Sequence, residues 1–406
     1  MFATLSGFGI FANRPKGYVG AVLMTLAAVG LCSASAQDGA QEQPKKRHDC
    51  KPFVYVVNDN SSDYSGYSIN EASGVLEPLP GSPYPGGPFF LPDAGGARQI
   101  AVDTKGKFLF EVGTSGETFL SVYAIEPNGS LTGLPDEANG PPEDSIALAL
   151  DPSDRYLYVV GGANIAGYQV DAATGGTTLI PGSTLTTPPV YQSLTVDPRG
   201  RFVYVVFGSA GSVQGYRIEP STGALTLIPG SPFPTGVEPS GVTVDPTGRF
   251  LYVSNTNGGS RERGSINGYD IDPRTGALRA MRGSPFAIPE DGWAPDTPAI
   301  DPGGRYLYSP LAGSHNVAGY HIHPITGELT PVAGSPFASG TQPIAAAIDP
   351  TGRFVYITDQ NDGGPGSVYG FSIEPISGSL RPLPDSPFPA GMSTSSIVIT
   401  GHDLAR

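Results

Sequence analysis

The chain has 406 residues, with 56 Gly, 42 Pro and only 15% charged residues. Its formal net charge of −14 repels polyanions, which argues against nucleic acid or an anionic lipid surface as a general partner. Length alone would suggest two or three ordinary domains, but an internal repeat overrides that prior.

The N-terminal 36 residues read as a leader. Arg14 and Lys16 form a basic start, residues 19–31 are apolar, and Ala34-Ser35-Ala36 is a small-residue cleavage site. The apolar run of 13 residues is shorter than the roughly 20 needed to cross a bilayer, so no membrane span is expected. A secreted or periplasmic protein, cleaved after Ala36, follows. A lipid anchor on Cys32 is the rival reading, opposed by bulky Leu31 where a small residue is wanted. Cleavage leaves Cys50 as the only cysteine, which excludes an internal disulfide. Residues 37–51 form a flexible polar tail. His48-Asp49-Cys50 has the residue types of a catalytic trio, but sequence neighbours rarely share that geometry, so Cys50 reads as a loosely held thiol.

From residue 52 one phrase recurs. DPTGRFLYVSN begins at Asp245, and copies begin at Asp103, Asp151, Asp197, Asp301 and Asp349, with spacings of 48, 46, 48, 56 and 48 residues. A short apolar strand precedes each Asp. Asp-Pro-x-Gly is a turn in which Pro presets φ, Gly supplies positive φ and the carboxylate accepts from the turn's own amides. The Arg-Phe-Leu-Tyr-Val phrase is a β-rich strand apolar on both faces. A third strand follows, such as Gly215 to Ile218, then a Thr-Gly turn, a short fourth strand and Ser-Pro-Phe. Four antiparallel strands per 46 to 56 residues make one propeller blade. Arg249 and its equivalents are expected to pair with an acidic group between blades.

The second-strand aromatics Tyr55, Phe110, Tyr158, Tyr204, Tyr252, Tyr308 and Tyr356 count seven blades. Residues 53–57 form a second strand with no first strand before it, and residues 396–399 a first strand with no second strand after it. The predicted fold is therefore all-β: a seven-bladed β-propeller over residues 52–400, closed by the C-terminal strand completing the N-terminal blade, with a short tail at 401–406. Closure hides the edges that an open sheet would expose.

These residues resemble the lactonase-family, YVTN-type propellers, the 6-phosphogluconolactonase-like group. Tyr252-Val-Ser-Asn255 and Tyr55-Val-Val-Asn58 approach the YVTN tetrapeptide, and Pro-x-Gly-Arg-Phe-Leu-Tyr-Val and Thr-Gly-x-Leu match the group's repeated phrases. The resemblance implies a propeller with ligands over the channel and, in some members, lactone hydrolysis or lactone-forming isomerisation. The hydrolytic members carry His or Arg where first strands enter the channel. Here no His stands at those positions and only Arg98 is basic.

Three groups of residues on the expected ligand face are candidates. An enlarged loop carries Arg261 and Arg263, the next inter-blade connection holds Trp293 and Asp296, and the adjoining loop holds His315. Guanidinium forks beside an aromatic suit a sugar or carboxylate, which makes Arg261, Arg263 and Trp293 the candidate ligand-binding set. Arg98, Asp296 and His315 are the candidate catalytic set. Asp59, with Asp359, Asn361 and Asp362 from the neighbouring blade, offers oxygen donors of the kind Ca²⁺ takes, without a consensus metal loop; no other cofactor is expected. The leading expectation is a monomeric binding module for a glycan, small molecule or protein on the loop face. The alternatives are a hydrolase opening a sugar lactone, and a structural envelope protein.

Overall fold

A computed structural model of the chain describes residues 51–86, 98–114, 118–135, 145–188, 193–208, 210–256, 263–289 and 295–401. The expected leader, the expected cleavage site and most of the expected N-terminal tail lie outside these residues.

The described strands form seven sheets, each with a four-strand antiparallel path. Blades 1 to 7 are centred on the second strands Phe53–Asn58, Phe108–Thr114, Tyr156–Gly161, Phe202–Phe207, Phe250–Asn255, Tyr306–Leu311 and Phe354–Asp359. Five of these strands were free of any exposed or half-buried residue along their whole length, reading buried at every position in blades 3 to 7. That explains their unbroken apolar sequence: each is sandwiched between two neighbouring sheets. Blade 1 takes its innermost strand from the far end of the chain. Thr394–Ile399 pairs antiparallel with Phe53–Asn58, with Val54 opposite Ile399 and Val56 opposite Ile397. Successive innermost strands then touch around a central channel, from blade 1 through blade 7 and back.

In six blades the sheet gains a short extra strand that the repeat reading had not separated. It starts at the last residue of the Ser-Pro-Phe position, as in Phe233–Pro234, with Ser-Pro-Tyr in blade 1 and Ser-Thr-Leu in blade 3, and pairs with the start of the third strand. The serine hydroxyl accepts the amide of a third-strand glycine; Ser231 accepts from Gly215 at 3.0 Å and Ser284 from Gly268 at 3.0 Å.

The recurrent Asp is a backbone brace. In blade 5 Asp245 Oδ1 accepts from the amides of Arg249 and Phe250, both at 2.7 Å, while Oδ2 accepts from the Thr247 amide at 3.0 Å and meets the Thr247 hydroxyl. Gly248 takes φ +66° in the turn. These contacts satisfy a buried carboxylate without any cation, as burial requires.

Neighbouring blades are stitched on the turn face by three devices. The tyrosine of one second strand donates to the carbonyl of the next blade's Thr-Gly or Ser-Gly turn: Tyr204 to Gly276 at 2.8 Å, Tyr252 to Gly327 at 2.7 Å and Tyr308 to Gly378 at 2.7 Å. The turn glycine lies flat on an aromatic ring of the preceding blade. A Cβ on Gly276, at φ +78°, would stand 2.6 Å from Phe202. The repeated arginine reaches the same turn. Arg201 donates to Pro273 O at 2.8 Å and Arg249 to Ile325 O at 2.9 Å, each guanidinium lying over the adjacent Phe ring at 4.9 and 4.6 Å from its centroid. The expected inter-blade acid partners are therefore replaced by carbonyls. The turns present carbonyl oxygens at the seam, and the carboxylate that Arg201 does meet, Asp197 at 2.8 Å, belongs to its own turn.

Candidate functional site

The opposite face carries the loops between second and third strands and the inter-blade connections. There the channel opens into a cavity of about 500 Å³, within the range of small-molecule sites. Its wall is built from the starts of the innermost strands, including Gln99, Ser193, Ser240, Thr297 and Ser395, and from the loop residues Asp59, Asn60 and Gln360. Ile100, Leu194, Val242 and Ile397 lie among them and anchor the wall in the core. Hydroxyls and amides thus ring the opening, and aliphatic side chains back it.

Two carboxylates stand on this wall, Asp59 and Asp296. Asp296 is half-buried at the entry to blade 6. Its Oδ1 accepts from the Thr297 amide at 2.8 Å and hydroxyl at 3.3 Å. Among the described residues Oδ2 has no hydrogen-bond partner. Withdrawal from water pushes its pKa up to about 6, against the smaller lowering effect of the two Thr297 bonds. A carboxyl so placed exchanges a proton near neutral pH, which an exposed Asp does not.

The other candidates are distributed differently. Arg98 begins the innermost strand of blade 2, Arg98–Val102, and pairs with Gly113; its neighbour Gln99 is on the cavity wall. His315 is exposed, with φ +61°, on the hairpin between the second and third strands of blade 6. Its Nδ1 meets Thr341 O, so it clamps the loop leading into blade 7 and does not line the cavity. Arg261 and Trp293 lie outside the described residues. Arg263 is exposed, just ahead of Ser265–Ile271, and is not part of the cavity wall.

The loops that carry the oxygen donors considered for Ca²⁺ touch at the junction of blades 7 and 1, where Asn60 Nδ2 donates to Gly363 O at 3.2 Å. Two of these oxygens are engaged. Asp359 Oδ1 accepts from the amides of Thr341 at 3.0 Å and Gln342 at 2.6 Å, and Asn361 Oδ1 accepts from the Thr341 hydroxyl at 3.1 Å. Asp362 is exposed, at φ +49°. Asn255 braces the equivalent loop of blade 5, accepting from Thr235 Oγ1 and Gly236 N, both at 3.0 Å. The last letter of the YVTN-like phrase is a loop brace. Among the described residues no three His, Cys, Asp or Glu side chains gather to hold a metal ion, and no helix is long and apolar enough to cross a membrane.

Two histidines are absorbed by the repeat. His323 stands past the end of Asn316–Ile322, where Nδ1 accepts from the amides of Ile325 and Thr326 at 3.3 and 3.2 Å, a role that Asp171, Asp272 and Asn70 fill in blades 3, 5 and 1. His321 is exposed and packs edge-on to Tyr306, 5.9 Å between ring centroids.

A family model described as lactonase, seven-bladed β-propeller, matches residues 194–343. No curated protein matches the sequence significantly. Among solved structures, a Bacteroides fragilis protein provisionally described as a 6-phosphogluconolactonase superposes with a TM-score of 0.71 at 16% identity, covering 88% of this chain and 99% of its own. The periplasmic gluconolactonase of Pseudomonas aeruginosa superposes with a TM-score of 0.65 at 19% identity, covering 86% of this chain and 99% of its own. At these identities the shared property is the fold. The chain is a seven-bladed β-propeller, and it resembles the lactonase family in its architecture and, over residues 194–343, in its sequence.

Proposed function

We propose that the protein hydrolyses a lactone, with Asp296 as general base. The observation that supports this best is a half-buried carboxyl, shifted to about 6, on the wall of the channel cavity. The fold is shared with a protein named as a gluconolactonase, and a sugar lactone is the substrate class we favour. Asn60, Gln99 and Gln360 supply amide groups able to bond ring hydroxyls. In the proposed reaction ionised Asp296 takes a proton from water as its oxygen bonds to the lactone carbonyl carbon. The ring C–O bond then breaks, and the same proton returns to the departing alkoxide. Arg98, beside Gln99 in sequence, is our candidate for stabilising the oxyanion. Export through the leader at residues 1–36 belongs to the same proposal.

This reading is preferred to a glycan- or protein-binding module around Arg263, because the polar convergence lies at the channel. The test is acid release by the mature protein over a panel of sugar and aliphatic lactones. Asp296→Asn should lower kcat/KM by about 10²–10⁴-fold, and the wild-type kcat/KM should rise with pH through about 6, as the base ionises. Spontaneous rates across the panel, or an Asp296→Asn variant as active as wild type, would overturn it.

A further inference from the structure

We infer that Gly241, Gly264 and Ser240 are positioning residues that seat residues 295–298 in the channel and so fix Asp296 at the cavity. The role of Asp296 in this inference rests on the lactone reading; the seat itself does not.

The starting observation is a break in the repeat. The innermost strand runs for six residues in blades 3, 5 and 7, Ser145–Leu150, Pro239–Val244 and Pro343–Ile348. In blade 6 only Ala299–Ile300 remains. Upstream of it the chain leaves its own sheet. Pro295 keeps one antiparallel bridge to Leu311, and Thr297 makes a parallel bridge to Ala345 of blade 7. Residues 295–298 are therefore shared between blades instead of being zipped into one, and something else must fix their path.

Blade 5 provides it. The residue four before the turn Asp is Gly241 in blade 5, but Gln99, Ala147, Ser193, Thr297 and Ala345 in blades 2, 3, 4, 6 and 7. A Cβ on Gly241 would fall 2.7 Å from Thr297 Cα and 2.9 Å from Pro298 Cδ. A Cβ on Gly264 would fall 2.3 Å from Pro295 Cδ and 2.8 Å from Asn255 O. Neither glycine has a left-handed φ, so backbone conformation does not call for glycine at either position. The requirement is room, and the room is filled by residues 295–298. Ser240 Oγ then donates to Pro295 O at 2.6 Å, and the Asp296 amide donates to Pro310 O at 2.9 Å. On the blade 5 side two glycines remove steric opposition and Ser240 supplies a hydrogen bond; the Asp296 amide bond to blade 6 and the parallel bridge to blade 7 hold the other side. The carboxyl they carry projects onto the cavity wall, where Asp59 is the other titratable group among the described residues.

The experiment reads the carboxyl directly. Protein labelled with ¹³C at the aspartate carboxyl is titrated by NMR, with the Asp296 resonance assigned by its loss in Asp296→Asn. Gly241→Ala, Gly264→Ala and Ser240→Ala should each lower the Asp296 midpoint, by about one unit in Gly241→Ala, as the displaced carboxyl regains water. The acid limb of kcat/KM should move with it. Ser240→Ala removes only a hydroxyl and keeps the test open should a glycine variant fail to fold. Gly223→Ala on the turn face is the control: it should destabilise the protein and leave the midpoint in place. An unchanged Asp296 midpoint in Ser240→Ala and in the folded glycine variants would overturn the seat. Full hydrolysis in Asp296→Asn would overturn Asp296 as the general base and leave the seat standing, since the carboxyl titration does not depend on it.

Discussion

The two faces of the ring use aspartate in opposite ways. On the turn face Asp245 is 2% exposed and accepts three backbone amides. It is a component of the fold, repeated blade after blade. On the loop face Asp296 accepts, among the described residues, from its neighbour Thr297, and it lines a cavity. The turn face is nearly periodic because every seam must solve the same packing problem. The loop face is free to vary, and the departures from the repeat gather there. Function is to be sought where the repeat fails on the face that stability does not dictate.

The comparison breaks if turn-face changes alter chemistry or loop-face changes alter only stability. The largest expected effect is Gly276→Ala. It puts a side chain at φ +78° and 2.6 Å from Phe202, and should cost about 3 kcal/mol from backbone strain and overpacking together. Urea unfolding measures the loss, and lactone hydrolysis per folded molecule should be unchanged.

The next effect is of similar size but opposite sign. Asp296 binds its proton more tightly in the folded state, about 6 against 3.8. The native state therefore holds more protons than the unfolded state between these values, and stability falls as pH rises through that window. Above it the penalty approaches about 3 kcal/mol at most, and solvent at the half-exposed carboxyl reduces it. Asp296→Asn should be more stable than wild type at pH 8, and the gain should vanish below pH 4, in thermal or urea unfolding followed across pH.

The two smallest effects concern the seams. Tyr204→Phe leaves the Gly276 carbonyl without its donor, at a cost of about 1–2 kcal/mol in urea unfolding. The seam between blades 2 and 3 lacks that donor already, since Phe110 stands where six blades have Tyr, and Lys107 replaces the arginine. It has a substitute: Asp154 accepts from Thr104 N at 2.9 Å and Thr104 Oγ1 at 2.5 Å, tying one turn to the next. Phe110→Tyr would place a hydroxyl toward Gly175 and should add about 0.5–1 kcal/mol. A loss there would mean that the blade 2–3 seam is packed differently from the others.

Residue identities alone were enough for the blade count, the turn chemistry and the closure of the ring. These depend on local physics repeated many times: Pro and Gly set turn dihedrals, an apolar run needs cover on both faces, and an unmatched strand at each end calls for its partner. Arg98 and Asp296 could also be placed at first-strand entries from the sequence. Tertiary structure decided what no single stretch encodes. The repeated arginines meet carbonyls of the next blade, because only the assembled ring brings that turn alongside. His315 turns to Thr341 and does not line the cavity that Asp296 lines. Gly241 and Gly264, ordinary glycines in the linear text, leave room for residues that lie tens of positions further along the chain, and a need for space has no signature until the occupant is known.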